Sequence, residues 1–292
     1  MSNLTNTIKL NSGYEIPQLG FGVYLIWDYE ECKAAVLKAL KEGYRHIDTA
    51  QLYKNEHAVG DAIRESGIPR DEVFITTKIW TTNYGYEKAK AAIDKSLGKL
   101  KTDYIDLMLL HQRFEDYKGA WKALEEGVSE GKIRSIGVSN FRMDQVDEII
   151  SSGSIVPAVN QVECHPYFQQ NEMRKYLAGK DIQMEAWYPL GHGDKKLLSE
   201  LLLTELADKY HKSVVQVILR WHVQMGNIVF PKSLSESHIR DNADIFDFEL
   251  SMEDMDRIAS IDKKKSYFNR PDWLDRWMCK MSDKVPFGEK DY

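Results

Sequence analysis

Residues 73–110, VFITTKIWTTNYGYEKAKAAIDKSLGKLKTDYIDLMLL, contain one complete repeat of the pattern that runs through the chain. Residues 73–79 are rich in β-branched side chains, which is typical of a strand, and residues 104–110 form a second apolar run. Residues 87–100, between them, are predicted to form a helix. A strand, a helix and a further strand in this order predict two parallel strands joined by a crossover helix.

The same alternation continues along the rest of the chain. Further strands are predicted at residues 44–48, 133–138, 158–162, 182–187 and 228–230, and the apolar residues 19–24 supply an eighth strand. Further helices are predicted at residues 28–41, capped by Asp28 and Glu31, and at residues 56–65, 118–130, 143–151, 171–177, 197–225, 237–243 and 252–260. Eight β/α units without a long linker predict the α/β class and a single (β/α)8 TIM barrel.

Both ends of the chain add to this barrel. Residues 7–10 and 14–18 flank the turn Asn11-Ser12-Gly13 and predict an N-terminal β-hairpin. Residues 263–292 form a C-terminal tail longer than the barrel needs. We expect one domain, residues 1–292, with this tail packed on the barrel.

A doubly wound nucleotide-binding domain is the competing architecture. It requires Gly-x-Gly-x-x-Gly directly after its first strand. Gly20 and Gly22 are followed by no further glycine before Gly43, so this fingerprint is missing.

Composition narrows the class of function. The chain has 292 residues, 43% of them hydrophobic, which is ordinary for a globular protein. Lys and Arg number 39 and Asp and Glu number 45, which gives a formal net charge of −6. This balance disfavours binding to nucleic acid or to a membrane surface.

The cysteines and the chain start point to a cytoplasmic protein. Cys32, Cys164 and Cys279 are odd in number and lack a Cys-x-x-Cys spacing, so we interpret them as reduced thiols and predict no metal site. The first seven residues are polar, and no uncharged apolar run reaches 18 residues, so neither secretion nor a membrane span is expected.

Polar and aromatic side chains occur at the ends of the predicted strands, where the active sites of such barrels lie. They are Asp48, Tyr53, Lys78, His111, Ser139, Asn140, Gln161, Trp187, Lys232 and Ser233. Taken singly, each has a plainer explanation: an Asp-Thr pair is a common turn, and His111 could be a hydrogen-bonded core histidine. Their shared position favours one site.

Four of these residues combine into a proton donor. Tyrosine has a pKa of about 10, and a nearby ammonium such as that of Lys78 is expected to lower it. Asp48 pairs with Lys78 and orients it, and a neutral His111 can donate to a carbonyl oxygen. A carbonyl polarised by Tyr53 and His111 accepts hydride.

Hydride must come from a cofactor, because side chains do not supply it. Ser139, Asn140 and Gln161 suit a carboxamide, and Trp187 offers a flat face to a nicotinamide. Lys232 and Ser233 can bind a phosphate, although a solvated loop explains them equally well.

Four separated stretches carry a resemblance to a known family. They are GYRHIDTA at 43–50, IRSIGVSNF at 133–141, NQVECHPY at 160–167 and IVFPKS at 228–233. With Tyr53, they make the chain similar to the aldo-keto reductase superfamily, in the bacterial branch that includes diketogluconate and methylglyoxal reductases. The resemblance covers the chain from Gly13 to about Asp262.

The resemblance implies a monomeric barrel that uses NADPH to reduce aldehydes and ketones, with Tyr53 as the general acid. It implies that Lys78 and Asp48 tune this acid and that His111 orients the substrate. The cofactor-binding residues it implies are Ser139, Asn140, Gln161, Trp187, Leu190, Lys232, Ser233, His238 and Asn242. Tyr24, Trp80 and Gln112 would form the substrate pocket.

Three positions depart from the family pattern. His238 replaces an arginine that contacts the 2′-phosphate, which should weaken the preference for NADPH and allow use of NADH. Gln112 and Arg113 replace an aromatic residue and a proline, which makes the pocket wall more polar and predicts tolerance of hydroxylated or acidic substrates. Tyr188 stands where the family usually has a serine that contacts the cofactor pyrophosphate.

The tail carries an apolar stripe at helical spacing, formed by Trp273, Leu274, Trp277, Met278 and Met281. It predicts a packed terminal helix, or a segment that also lines the substrate pocket, as the resemblance suggests.

Two alternative functions stay open. One is a cofactor-sensing regulatory subunit of the same fold. The other is a metal-dependent isomerase or hydrolase, which is disfavoured because Glu163, His165 and His111 lack metal-ligand spacing. The predicted partner is a small carbonyl substrate, with neither nucleic acid nor membrane.

Overall fold

The computed structural model describes residue 4 and residues 6–282. Strands β1 (Thr7–Lys9) and β2 (Glu15–Pro17) form the antiparallel hairpin expected at the N-terminus. The remaining strands lie in one parallel sheet in chain order: β3 (Phe21–Gly22), β4 (His46–Asp48), β5 (Phe74–Ile79), β6 (Ile105–Leu110), β7 (Ile133–Ser139), β8 (Val159–Glu163), β9 (Gln183–Trp187) and β10 (Ile228–Val229). The predicted eight-stranded α/β architecture is confirmed.

The sheet closes on itself through its two shortest strands. The amide of Gly20 donates to the carbonyl of Val229 at 2.8 Å, and the amide of Gly22 donates to that of Pro231 at 3.2 Å. A Cβ on Gly22 would lie only 2.8 Å from the carbonyl oxygen of Phe230. Glycine is therefore required where β3 meets the end of β10.

Helices surround the sheet, as a parallel sheet requires. They are α1 (Tyr29–Lys41), α2 (Glu56–Glu65), α3 (Tyr86–Leu100), α4 (Tyr117–Ser129), α5 (Met143–Ser152), α6 (Asn171–Ala178), α7 (Lys195–Leu198), α8 (Leu201–Tyr210), α9 (Val214–Gln224), α10 (Glu236–Ala243), α11 (Met252–Ser260) and α12 (Asp272–Met281). Helix α1 begins at Asp28, whose side chain accepts a hydrogen bond from the amide of Glu31, as the capping pair predicted.

The predicted helix at residues 197–225 is wrong as one element, because α7, α8 and α9 share this range, with one break after Leu198 and a second after Tyr210. Helix α8 ends at His211, which adopts the left-handed conformation with φ of 54°. Ser213 then caps α9 and forms a capping box with Gln216. The chain therefore turns between two helices, because a left-handed residue stops one helix and a reciprocal cap starts the next.

The hairpin closes the amino end of the barrel. Its residues Leu10 and Ile16 pack in one buried cluster with Phe74, Leu107 and Val159 from three barrel strands. Side chains alternate along a strand, so Phe74, Thr76 and Lys78 share the inner face of β5. The inner face is thus apolar at the closed end and polar at the carboxyl end, where the predicted site residues lie.

The tail forms α12, but its apolar stripe does not pack as a whole. Trp273 is 70% exposed and Trp277 is 56% exposed, whereas Cys279 is buried beside Trp80 and Phe114. The indole nitrogen of Trp80 donates to the carbonyl oxygen of Cys279 at 3.2 Å. The tail therefore reaches a residue predicted to line the substrate pocket, and residues 283–292 lie outside the described part.

Within residue 4 and residues 6–282, no helix combines the length and apolar character needed to cross a membrane. The three cysteines are buried and free, as the predicted reduced thiols require. Burial raises the pKa of each thiol to about 12.

Candidate active site

A fully buried ion pair lies at the carboxyl end of the barrel. The ammonium of Lys78, which is 0% exposed, lies 2.7 Å and 2.8 Å from the two carboxylate oxygens of Asp48. It also donates to the carbonyl oxygen of Thr49 at 3.0 Å. The strands β4 and β5 are paired neighbours, so their inner-facing residues meet directly. The partner predicted for Lys78 is present.

Tyr53 follows β4 in a 3-10 turn, Gln51–Tyr53, which turns its phenol back over the barrel. Its hydroxyl lies 3.5 Å from the ammonium nitrogen of Lys78. The phenol ring packs 4.9 Å from the ring of Tyr24 and 5.8 Å from that of His111. The structure thus brings the phenol, the ammonium and the imidazole together.

The expected lowering of the Tyr53 pKa is wrong for this arrangement. Burial raises the pKa of Tyr53 well above its ordinary value, and the charge of Asp48 raises it further. Lys78 does not offset this rise in the pKa of Tyr53, because its charge is balanced by the Asp48 carboxylate that it contacts. The phenol therefore keeps its proton across the neutral range, and Lys78 stabilises a phenolate only once one forms.

His111 directly follows β6 and is 8% exposed. Burial and the charge of Lys78 lower its pKa well below the ordinary value, so the ring is neutral. Its Nδ1 has no hydrogen-bond partner among the described residues. A neutral imidazole beside Tyr53 can donate one proton to an oxygen, as predicted.

Side-chain amides and an indole form a cradle on the opposite strands. Asn140 accepts from the indole nitrogen of Trp187 at 2.9 Å, and its amide donates to the hydroxyl of Ser139 at 3.1 Å. The amide nitrogen of Gln161 donates to Asp48 and to Glu185, each at 3.0 Å. Both protons of that nitrogen are therefore used, which leaves the amide oxygen of Gln161 available to a ligand.

The rim above the cradle is aromatic. Tyr188 has φ of 51°, and its ring stacks on Phe268 at 5.3 Å and meets Trp187 at 5.0 Å. The ring of Tyr24 lies 6.1 Å from that of Tyr188 and packs against Tyr53. The bulky residue in place of serine thus belongs to an aromatic cluster at the open end.

Two residues predicted to line the substrate pocket, Trp80 and Gln112, follow β5 and β6 and are held by their neighbours. Trp80 packs edge-to-face on His111 at 4.9 Å. The hydroxyl of Tyr84 donates to the carbonyl of Gln112 at 2.8 Å and fixes that backbone. Arg113 is bound to Asp272 of α12 at 2.8 Å, so its charge ties down the tail and gives no support to the prediction of acidic substrates.

A model of the aldo/keto reductase family matches residues 19–263. The chain belongs to the aldo/keto reductase family. A glyoxal reductase from Bacillus subtilis (strain 168) is 49% identical over 274 residues, which cover 94% of this chain and 99% of that protein. The methylglyoxal reductase DkgA from Escherichia coli (strain K12) is 42% identical over 275 residues, which cover 93% and 98% respectively.

Solved aldo-keto reductases share the fold. The crystal structure of a Bombyx mori aldo-keto reductase in complex with NADP superimposes with a TM-score of 0.86 at 34% identity, covering 92% of this chain and 97% of that one. Membership makes this chain an oxidoreductase that reduces carbonyl groups and uses a nicotinamide cofactor.

The residues of this aldo-keto reductase fit such a cofactor. Both amide protons of Asn140 are bonded, to the carbonyl oxygen of His111 and to Ser139. The cradle therefore offers the hydroxyl proton of Ser139 and the amide oxygen of Gln161, which match the oxygen and the amino group of a carboxamide. The fixed indole of Trp187 lies beside them. Between β10 and α10, the chain places an exposed ammonium on Lys232 and a partly buried hydroxyl on Ser233.

Helix α10 carries the remaining residues predicted to contact the adenosine end. His238 is exposed and Asn242 is 6% exposed. Leu190 precedes a short 3-10 turn, Gly191–Gly193, and packs against the core. In the described ranges, no group of three His, Cys, Asp or Glu residues could hold a metal ion.

Sequence reasoning missed Glu185 in this family member. It lies inside the barrel, fully buried, and contacts Gln161. The only signal was an acidic residue between Met184 and Ala186 in an apolar strand, at the position whose side chain faces inward.

Proposed function

We propose that this protein reduces small aldehydes and ketones to alcohols with NADPH. The observation that carries the proposal is the contact of the Tyr53 hydroxyl with the Lys78 ammonium, beside a neutral His111. A protonated phenol next to a buried cation is suited to give a proton to an oxygen that is becoming negative.

In the proposed mechanism, the substrate oxygen lies between Tyr53 and His111. The nicotinamide supplies a hydride to the carbonyl carbon when it is bound. His111 donates a hydrogen bond that orients the oxygen, and Tyr53 transfers its proton to it. Because an alkoxide is far more basic than a phenolate, the high pKa of Tyr53 does not prevent this step, and Lys78 stabilises the phenolate that remains.

We assign the cofactor contacts to residues on both sides of the open end. Ser139, Asn140 and Gln161 hold the carboxamide, and Trp187 covers the ring. Leu190, Lys232, Ser233, His238 and Asn242 line the path to the adenosine end. With histidine at position 238, NADPH is preferred only modestly and NADH is also used, because an imidazole lacks the permanent planar cation with which an arginine binds a 2′-phosphate.

The proposed substrates are small dicarbonyl compounds. The support is the similarity to a glyoxal reductase and a methylglyoxal reductase. The ring of Tyr24 packs on Tyr53 and that of Trp80 packs on His111, which suits a short substrate. No observation favours the regulatory alternative, since all four residues of the acid are present and in contact.

We also propose that the chain is a single-domain, cytoplasmic monomer. The buried thiols suit a reducing compartment. Size-exclusion chromatography with light scattering tests the oligomeric state, and a dimer mass would contradict it.

The experiment for the proposed function measures NADPH oxidation with methylglyoxal and identifies the product. We expect turnover and a hydroxycarbonyl product, with NADH supporting a slower rate. Omission of the carbonyl compound is the control. Tight NADPH binding without turnover on any aldehyde or α-dicarbonyl would contradict the proposal and favour a regulatory role.

A further inference from the structure

Glu185 is an acidic residue inside the barrel, away from solvent. It lies at the centre of β9, directly opposite Gln161 of β8, and is 0% exposed. One of its carboxyl oxygens, Oε2, accepts from Gln161 at 3.0 Å. The other, Oε1, has no hydrogen-bond partner among the described residues.

The amide of Gln161 joins Glu185 to the ion pair beneath Tyr53. Its single nitrogen donates one proton to Glu185 and the other to Asp48, which in turn holds Lys78. A change in the charge of Glu185 therefore acts through one amide on the carboxylate that balances Lys78.

The surroundings of Glu185 disfavour its ionised form. A buried carboxylate with an unpartnered oxygen costs far more than a neutral acid. Its strand neighbours Gln161 and Ile228 carry no charge. The charged groups across the barrel are Asp48, which disfavours a second anion, and Lys78, which is already bound by Asp48.

Burial and Asp48 accordingly raise the pKa of Glu185 to about 8, although Gln161 and Lys78 act in the opposite direction. Glu185 is then mostly protonated at neutral pH and loses its proton in mildly alkaline solution.

We propose that Glu185 is a positioning residue of the catalytic centre, neutral in the active enzyme, whose loss of a proton weakens proton donation by Tyr53. Its neutral carboxyl orients Gln161 so that the amide protons face Asp48 and the amide oxygen faces the cofactor carboxamide. Once ionised, it adds a negative charge beside Asp48, which opposes formation of the phenolate next to Lys78. This inference rests on the proposed function.

The test compares the pH dependence of kcat for NADPH-dependent aldehyde reduction in the wild type and in Glu185→Gln. We expect wild-type kcat to fall by about fivefold between about pH 7 and about pH 9.5. Glutamine keeps the shape of the side chain but cannot ionise, so the variant should stay active and lose this decline. Glu56→Gln is the matched control, because Glu56 is equally buried but bonds to Thr77 and Lys99; it should keep the wild-type profile.

A flat wild-type profile, or a Glu185→Gln profile that superimposes on the wild-type one, would overturn the inference while leaving the reductase function intact. If wild-type protein shows no reductase activity, thermal unfolding decides the protonation state instead. When folding raises the pKa of a carboxyl, the protein loses stability as the pH rises from the ordinary pKa of that group towards the raised one. The Tm of Glu185→Gln should therefore gain on the wild-type Tm between about pH 5 and about pH 8, and a constant difference would contradict the inference.

Discussion

The Lys78 ammonium contacts both carboxylate oxygens of Asp48, at 2.7 Å and 2.8 Å, but stands 3.5 Å from the Tyr53 hydroxyl. Asp48 therefore holds most of the ammonium's charge while Tyr53 is protonated. When the phenol gives up its proton, the same ammonium is already within reach of the phenolate. The pair thus stabilises the product of proton transfer rather than acidifying the phenol beforehand.

We predict that the effects of removing Asp48 and Lys78 on the free energy of unfolding are not additive. Removing one partner alone, as in Lys78→Met, leaves a buried unpaired charge and should lower the free energy of unfolding by about 3–5 kcal/mol. Asp48→Leu combined with Lys78→Met removes both charges and should regain much of this stability while remaining inactive. Urea unfolding measures each step, and strictly additive losses would contradict the pairing.

We predict that His238→Arg, at the proposed binding site of the adenosine end, changes the cofactor preference. Arginine supplies a permanent planar cation that can bind a 2′-phosphate. The ratio of kcat/KM for NADPH to kcat/KM for NADH should therefore rise by about tenfold. Kinetics with both cofactors check this. His211→Arg, which adds the same charge at the end of α8, serves as the control, and an unchanged ratio in His238→Arg would mean that the side chain does not face the phosphate.

We predict that substitutions at two positions in the turn between α8 and α9 change the stability of the protein in different ways. Ser213→Ala removes the cap of α9 and should cost about 1 kcal/mol of stability. His211→Gly relieves the left-handed backbone and should be neutral or stabilising within about 1 kcal/mol. Thermal unfolding of both variants tests the break, and a strongly destabilising His211→Gly would contradict the assigned conformation.

Much of the fold was predictable because each strand is an apolar or β-branched run and each helix has a polar face. The break at His211 was not predicted, because a non-glycine residue in the left-handed conformation leaves no strong sequence signal. Only Ser213 with Gln216 marked the new helix start, and the apolar run around them hid it. The prediction that Trp273 and Trp277 are packed was wrong for a related reason, because helical spacing does not show which face of the helix contacts the barrel.

The residues of the candidate site could be predicted from the sequence, but the pKa of Tyr53 could not. Asp48, Lys78 and His111 follow from their places at the ends of neighbouring strands, because parallel strands bring those ends together. The pKa of Tyr53 depends on burial and on how tightly Asp48 holds Lys78, which only distances reveal. Glu185 was missed because its burial depends on which strand face points inward.

In the proposed mechanism Tyr53 donates the proton, while other residues hold the cofactor. Tyr53→Phe keeps the ring packed against Tyr24 and His111 and removes only the hydroxyl. The direct measurement pairs single-turnover rates of NADPH oxidation by methylglyoxal with the dissociation constant for NADPH from tryptophan fluorescence. We predict a rate lowered by about 100-fold or more with a nearly unchanged dissociation constant, and a near-normal rate in the variant would show that Tyr53 is not the proton donor.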